Sequence, residues 1–517
     1  MAGSRVKKSL MNVRVNLFFY LLSFLFAFVS RKVFLDALSD EFVGLTGTFG
    51  EILGLLMLAE MGISTSISYF LYKPLKDGSR EQINEIMSLM GFLYRRIGIF
   101  IGLAAILISI SFPWMFADTQ LPLLFVYYTF GIFVGGTLLN FFYNYKQILL
   151  VADQRNYVVS AYTQTLSYAK SAIQILLAYY YRDLYLWVLV ELVFTLLTCV
   201  TINYRVKTAY PWLHIVTGSG RQLIKAYPDV LRKTRQVFIH NLKNFALRGS
   251  DQIFIFAFVS LKMVAYYSNY TMLLNKVNVL VNVLSDGMNA GVGNLVAEGN
   301  IQNTMKVFWE LTAIRFLFTG AIIFGFLCFT QPFITYWLGA QYLLNNWMLN
   351  LMILSMFIML SRGTVEMYLA AYGLFADVWA AWTELALNLG ITIVGGYFFG
   401  IWGILLAKVV SVFFIALFWK PYYLFRDGFQ QPVGVYWRGM ARYYAIFAVS
   451  LVAVWPLRWF ILAYVHNMLE LVVVAAVGTA LYLVVYAALL YYLTDGMKYF
   501  TARFLPRFRQ SKNNHNP

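Results

Sequence analysis

Apolar residues dominate this chain in long unbroken runs from Val15 to Tyr492. Runs of about 18–25 residues are long enough to cross a bilayer as helices. The alternation of a transmembrane β-barrel is absent. The pattern predicts spans near 12–34, 42–72, 89–116, 121–150, 158–181 and 185–205. A second set is expected near 235–259, 265–293, 307–337, 344–371, 378–399 and 401–419, and two more near 441–463 and 468–493. The fold class expected is therefore all-α integral membrane, with about 14 transmembrane helices.

The pattern also repeats. Gly44 to Gly78 and Ala265 to Gly299 enclose equal lengths of apolar sequence, displaced by 221 residues. At nearly the same shift Pro113 meets Pro332, Ala152-Asp153-Gln154 meets Ala371-Tyr372-Gly373, and Gln164 meets Glu384. Such internal repeats are a sequence mark of transporters. Each half holds an even number of spans, so the copies insert the same way up. The expected organisation is a six-helix lobe over 1–205, a cytoplasmic linker over 206–234, a second six-helix lobe over 235–420, and two further helices with a basic tail over 421–517.

Composition supports this reading: 61% of residues are hydrophobic and 12% charged, with a mean hydropathy of +0.67. A soluble domain carries about 25% charged residues. The net charge of +17 sits mostly in alternate loops. Lys73, Lys76, Arg80, Arg95 and Arg96 lie on one side, as do the linker's Arg205, Lys207, Arg221, Lys225, Arg232, Lys233 and Arg235. The later Lys420, Arg426, Arg438 and Arg442 and the tail residues from Lys498 to Lys512 share that side. The positive-inside rule then places both termini in the cytoplasm, and membrane-surface charge explains the basicity better than nucleic acid does. Arg5, Lys7, Lys8 and Arg14 resemble a signal-peptide start, but no small-residue cleavage site follows, so an uncleaved first span is expected. Cys199 and Cys328 both fall inside spans, so neither a disulfide framework nor a thiol metal site is expected.

Candidate chemistry lies in the polar residues the apolar runs retain. Asn241, Asn244, Arg248 and Asp251 recur at helical spacing in the seventh span, with Lys243 beside them. Asn275, Asn278, Asn282, Asp286 and Asn289 do so in the eighth, with Lys276 alongside. Glu51, Glu60, Lys170, Gln174, Arg362, Glu366, Glu384 and Lys408 are spread over other spans. An ionised side chain at a span centre costs about 2.5–3.5 kcal/mol on the insertion scale, so water, a partner or a substrate must offset it. Arg248–Asp251 and Arg362–Glu366 can serve as neutralised structural pairs, whereas Asp286, Glu384, Lys243 and Lys276 have no evident partner on their own helix face. Arg31 and Lys32 can snorkel to the interface. Gly98/Gly102, Gly131/Gly135 and Gly396/Gly400 read as helix-packing pairs. No GxxxxGK[ST], HExxH or GxSxG motif is present, so ATP-driven, zinc-peptidase and serine-hydrolase chemistry is not expected.

Two stretches carry a family resemblance. Glu41-Phe-Val-Gly-Leu-Thr-Gly-Thr-Phe-Gly50, running on to Ala59-Glu-Met-Gly62, is similar to the start of the second span in the polysaccharide branch of the multidrug/oligosaccharidyl-lipid/polysaccharide flippase superfamily. Val264-Ala-Tyr-Tyr-Ser-Asn-Tyr270 resembles the opening of that family's eighth span. The resemblance covers about residues 10–495 and implies a non-enzymatic flippase of the bacterial inner membrane. Its implied cargo is an undecaprenyl-diphosphate-linked oligosaccharide, the O-antigen or capsular repeat unit. A polysaccharide polymerase and a chain-length regulator would be its partners beside membrane lipids. Cationic groups would hold the diphosphate: Arg248 first, then Arg31, Lys243 and Lys276, with Asn244 and Asn282 toward the sugars. Asp251, Asp286 and Glu384 are the candidates for H+ or Na+ coupling; no cofactor or metal is implied. The alternatives are a lipid II flippase, a cation-coupled multidrug antiporter of the same superfamily, and a membrane polysaccharide polymerase or glycosyltransferase.

Overall fold

The computed structural model describes residues 2–60, 62–216, 220–230, 234, 251–374 and 377–503. Every regular element among them is helical. The chain divides into two compact units, Met1–Ser268 and Asn269–Pro517.

The first unit opens with α1 (Ala2–Leu38), α2 (Asp40–Leu56), α3 (Ile63–Asp77) and α4 (Arg80–Ser109). It continues with α5 (Leu123–Phe142), a short α6 (Gln147–Ala152), α7 (Asn156–Tyr180), α8 (Leu184–Ala209), α9 (Gly220–Ala226) and α10 (Asp251–Phe258). Side-chain caps satisfy helix starts that apolar surroundings would otherwise leave unbonded: Asp183 accepts from the Tyr185 and Leu186 N–H groups at 2.8 and 3.1 Å. One apolar cluster joins Ile67 and Leu71 of α3, Met87 and Met90 of α4, Leu149 of α6 and Ile202 and Val206 of α8. The stretch after α8 packs onto α4. His214 and Val216 donate backbone N–H groups to Asn84 and Ser88, both at 2.9 Å, and Arg80 stacks over Trp212. The Tyr227 hydroxyl donates to Glu85 at 2.6 Å. Burial and that bond push Tyr227 up to about 12, so it stays a donor at any physiological pH.

α11 (Leu261–Ala297) runs across the division between the units. In the second unit follow α12 (Ile301–Trp337), α13 (Asn346–Ser361), α14 (Gly363–Ala371), α15 (Val378–Phe399) and α16 (Ile401–Phe414). It ends with α17 (Gly434–Val454), α18 (Leu457–Tyr464) and α19 (Met468–Leu493). α12 packs against α13, α17, α18 and α19, and α16 against α13 and α15. Phe308, Tyr368, Phe425 and Phe429 close the end of this unit edge to face.

Nine helices among the described residues are long and apolar enough to cross a membrane. Their outward faces are apolar as well: Leu103, Ile106 and Leu107 on α4 and Leu481 and Val484 on α19 are all exposed. Such faces are stable against hydrocarbon and not against water.

The repeat has a backbone signature. Left-handed residues stop helices at Gly78 and Gly299 (both φ +72°), at Gln154 and Gly373 (+58° and +69°), and at Arg182 and Gly400 (+52° and +58°). Those pairs stand 221, 219 and 218 residues apart. Gly400, expected to pack against a neighbouring helix, is instead the turn between α15 and α16; the close approach there is Gly395 to Gly403.

Three expected spans are broken. The one over 42–72 is α2, a 3-10 turn at Met57–Glu60, and α3, with Gly62 left-handed between them. Those over 121–150 and 344–371 break at Tyr143–Lys146 and at Arg362. Hydropathy measures apolarity, which a backbone break inside protein leaves unchanged.

Candidate functional site

In the first unit the polar groups converge where α1 and α2 meet α10 and the start of α11. Arg31, in the last third of α1, donates from Nη2 to the Ala265 carbonyl at 2.8 Å and to the Ser268 hydroxyl. Ser268 itself donates to the Ala265 carbonyl at 2.8 Å. A guanidinium has five donors in a fixed fork, so this contact uses one nitrogen and holds the plane of the group.

Asp251 and Tyr267 form the deepest part of the cluster, at 7% and 2% exposure. The Tyr267 hydroxyl donates to Asp251 Oδ2. Next along the helix, Gln252 donates from Nε2 to Glu51 Oε1 at 3.2 Å, which ties α10 to α2. Farther out, Lys262 and Asp40 approach to 3.7 Å. Backbone proximity makes this register possible. A Cβ at Gly44 would overlap the Leu261 carbonyl oxygen and stand 2.8 Å from its carbon. A Cβ at Gly47 would lie 2.8 Å from Gln252 Oε1. Phe116 and Phe256 stack at 4.8 Å on the apolar flank. The belt thus combines two cations, three carboxylates, hydroxyls and an amide at a seam of helices, a set of donors and acceptors able to bond phosphate oxygens and sugar hydroxyls.

A second polar group lies between α7 and α8. Lys170 meets Glu191 at 2.5 Å, and Gln174 donates to the other Glu191 oxygen at 2.9 Å. The partner of Lys170 is on the next helix, where periodicity within one span does not reach. Replacing Lys170 with Met strands Glu191, so a lower melting temperature is expected in detergent. The double change Lys170→Met, Glu191→Gln is expected to recover most of the loss.

The second unit carries its own charge cluster. Arg362, at the α13–α14 break, lies 3.2 Å from Glu366 and 3.5 Å from Glu384 of α15. Glu384 is fully buried. Arg315 of α12 lies against the same break, where a Cβ on Gly363 would overlap its guanidinium. One turn on from Glu384, Asn388 donates to the Ser411 hydroxyl of α16 at 3.3 Å.

Of the residues singled out from sequence, the structure brings Arg31 and Asp251 to one seam. Glu384 sits in the second unit with Arg362, a partner that its own helix face could not reveal. Lys276 is half-buried on α11. Lys243, Asn244 and Arg248 lie outside the described residues, so the Arg248–Asp251 pair does too. Asn282 and Asp286 fall on the described backbone of α11, and their side chains lie outside the description. Tyr267 and Ser268 enter the sequence analysis only within the stretch from Val264 to Tyr270, and Gln252 does not enter it. For Gln252 the signal is the repeat itself, since Asp251 and Gln252 stand at the places of Ser30 and Arg31. No group of three His, Cys, Asp or Glu residues able to hold a metal occurs among the described residues. Cys199 and Cys328 are buried, and neither is in a disulfide.

No protein-family model matches the sequence, and no curated protein matches it. Solved structures do. One, described as the lipid II flippase MurJ in an inward closed conformation, superposes with a TM-score of 0.67 at 13% identity, over 93% of this chain and 98% of that one. Another, an inward-facing multidrug resistance MATE family transporter of the MOP superfamily, gives 0.55 at 14% identity, over 76% and 92%. At these identities the likeness speaks for the scaffold: the chain is an all-α, multi-pass membrane protein with the fold these two transporters share.

Proposed function

We propose that this protein flips a polyprenyl-diphosphate-linked oligosaccharide, an O-antigen or capsular repeat unit, across the bacterial inner membrane by alternating access. The supporting observation is the extent of the structural likeness. The lipid II flippase scaffold accounts for 93% of the chain, and the multidrug transporter scaffold for 76%. The physics suits the cargo: a diphosphate and several sugars cannot cross about 30 Å of hydrocarbon unaided. Arg31 at the α1–α11 seam and Arg248 in the seventh span would hold the diphosphate, and the Asn-rich eighth span the sugars. The seam of Asp40, Gly44 and Lys262 lies at the end of the spans that the basic loops assign to the outside. It would be the closed outer gate, with both termini cytoplasmic.

Lipid II is the second reading, favoured by the likeness to the lipid II flippase MurJ. Deleting the gene and assaying both products tests the proposal. Loss of surface polysaccharide with intact cell wall is expected. Lysis with lipid II retained inside would transfer the assignment to the second reading, and altered drug resistance alone would overturn both. Arg248→Ala is expected to abolish export while the protein stays in the membrane by immunoblot; normal surface polysaccharide in that variant would remove Arg248 from the site.

A further inference from the structure

α4 and α12 occupy equivalent places in the repeat. Each starts two residues after a left-handed glycine, Gly78 or Gly299, and their first residues, Arg80 and Ile301, stand 221 apart. On α4 the stretch after α8 crosses the first turns. Asn84 and Ser88 accept its backbone N–H groups, Glu85 accepts from Tyr227, and a Cβ on Gly220 would overlap the Phe92 ring. On α12 the crossing chain is instead the helical stretch 495–503 that follows α19. Lys306, at the place of Glu85, lies over the Tyr499 ring at 5.2 Å. A Cβ on Gly496 would overlap the Trp309 carbonyl oxygen and stand 2.7 Å from its carbon. Arg442 of α17 lies 3.6 Å from Asp495 and also holds the start of this stretch.

The far end of the stretch meets a buried acid. Glu310 is 3% exposed and lies 3.0 Å through Oε2 from Arg503 Nη1. Its Oε1 has no hydrogen-bond partner among the described residues. At the equivalent place α4 has Leu89, fully buried, so an apolar side chain suits that position. A buried carboxylate is costly unless a cation meets it, and α12 carries that cost where α4 does not. Lys306, one turn earlier, is exposed and engaged with Tyr499. α12 therefore gains the Arg503 guanidinium against Glu310 when the stretch after α19 is in place.

We propose that residues 495–503 form a strap that holds the start of α12, the second unit's counterpart of the stretch that holds α4, and that Arg503–Glu310 is its fastener. The first unit takes its strap from the chain directly after α8. In the second unit the chain after α16 leads into α17, α18 and α19, and these helices return it to the start of α12. The additional C-terminal helices thus supply a strap to a unit whose other repeat elements provide none there. Without it Glu310 is left buried without its cation, and the first turns of α12 open. The strap does not depend on the flippase reading.

Hydrogen exchange and thermal melting of the full chain in lipid nanodiscs test it. Arg503 is partly exposed, so a moderate effect is expected: Arg503→Ala should lower the melting temperature and speed exchange over 301–312 about tenfold, with 80–92 unchanged. Tyr227→Phe should do the reverse and speed exchange over 80–92 alone. Glu310→Leu installs the side chain found at the equivalent place on α4, so Arg503→Ala should be silent in that background. An Arg503→Ala loss of the same size in the Glu310→Leu background overturns the fastener. Gly496→Val keeps both charges but pushes the stretch off the Trp309 carbonyl, and should speed exchange over 301–312 as well. Unchanged exchange over 301–312 in Arg503→Ala overturns the strap, even where Gly496→Val does not fold.

Discussion

Gly44→Val is expected to stop transport without removing the protein from the membrane. Position 44 on α2 faces the backbone at Leu261, where even a Cβ overlaps the carbonyl oxygen. A rigid main-chain carbonyl cannot turn away as a side chain can, so α2 and the start of α11 must separate. Overpacking of this kind costs about 1–3 kcal/mol. That would be charged only to the conformation in which this seam is closed. The population of that state would fall about 5- to 150-fold, and export with it. Gly50 is the matched control: it lies two turns along α2 with nothing within 4 Å of a Cβ, so Gly50→Ala should export normally. Surface polysaccharide normalised to membrane protein reads both variants. Equal export by Gly44→Val and wild type would mean that the cycle never requires the closed seam.

Arg362→Ala should have the largest effect on stability. The change removes the ion-pair partner of Glu384, which has no exposure to solvent, and also the contact to Glu366. Breaking one side of a buried pair costs about 3–5 kcal/mol, enough to lower the melting temperature of a unit this size by about 10 °C. Arg362→Met combined with Glu384→Gln should recover a large part of that loss, because no fully buried carboxylate is then left without its cation; Glu366, which also loses Arg362, is partly exposed. Fluorescence-detected size exclusion after heating measures both. Additive losses in the double variant would show that the two residues do not interact energetically. The same pair bears on ion coupling at Glu384, since an incoming cation there must compete with a guanidinium already in place.

Particular residues show where sequence was sufficient. The turn Asp153-Gln154 was matched to Tyr372-Gly373 on residue pattern alone, and the structure gives Gln154 and Gly373 the same left-handed conformation. Gly78 and Gly299 behave alike. Helix stops are legible because few residues tolerate positive φ, so the requirement is written locally. Asp251 and Arg31 were legible for a related reason: a charge inside an apolar run is costly wherever it lies. Glu384 was singled out too, but its setting was not. Its neighbour Arg362 is 22 positions away on another helix, and helical periodicity relates residues only within one helix. Lys170 and Glu191 repeat the lesson. Glu60 is legible as a charge in an apolar run, but the break beside it is not, because a backbone break inside protein leaves apolarity unchanged.

The sequence by itself determined that this chain is helical, membrane-spanning and internally repeated. A bilayer leaves backbone groups no partner but their own helix, so a run of apolar residues has one outcome, and stops that need special residues announce themselves. Only the tertiary structure decided which charges meet and where spans break. Both depend on how each helix is rotated and on what packs against it, quantities set by the summed contacts of the unit and by no single stretch of residues.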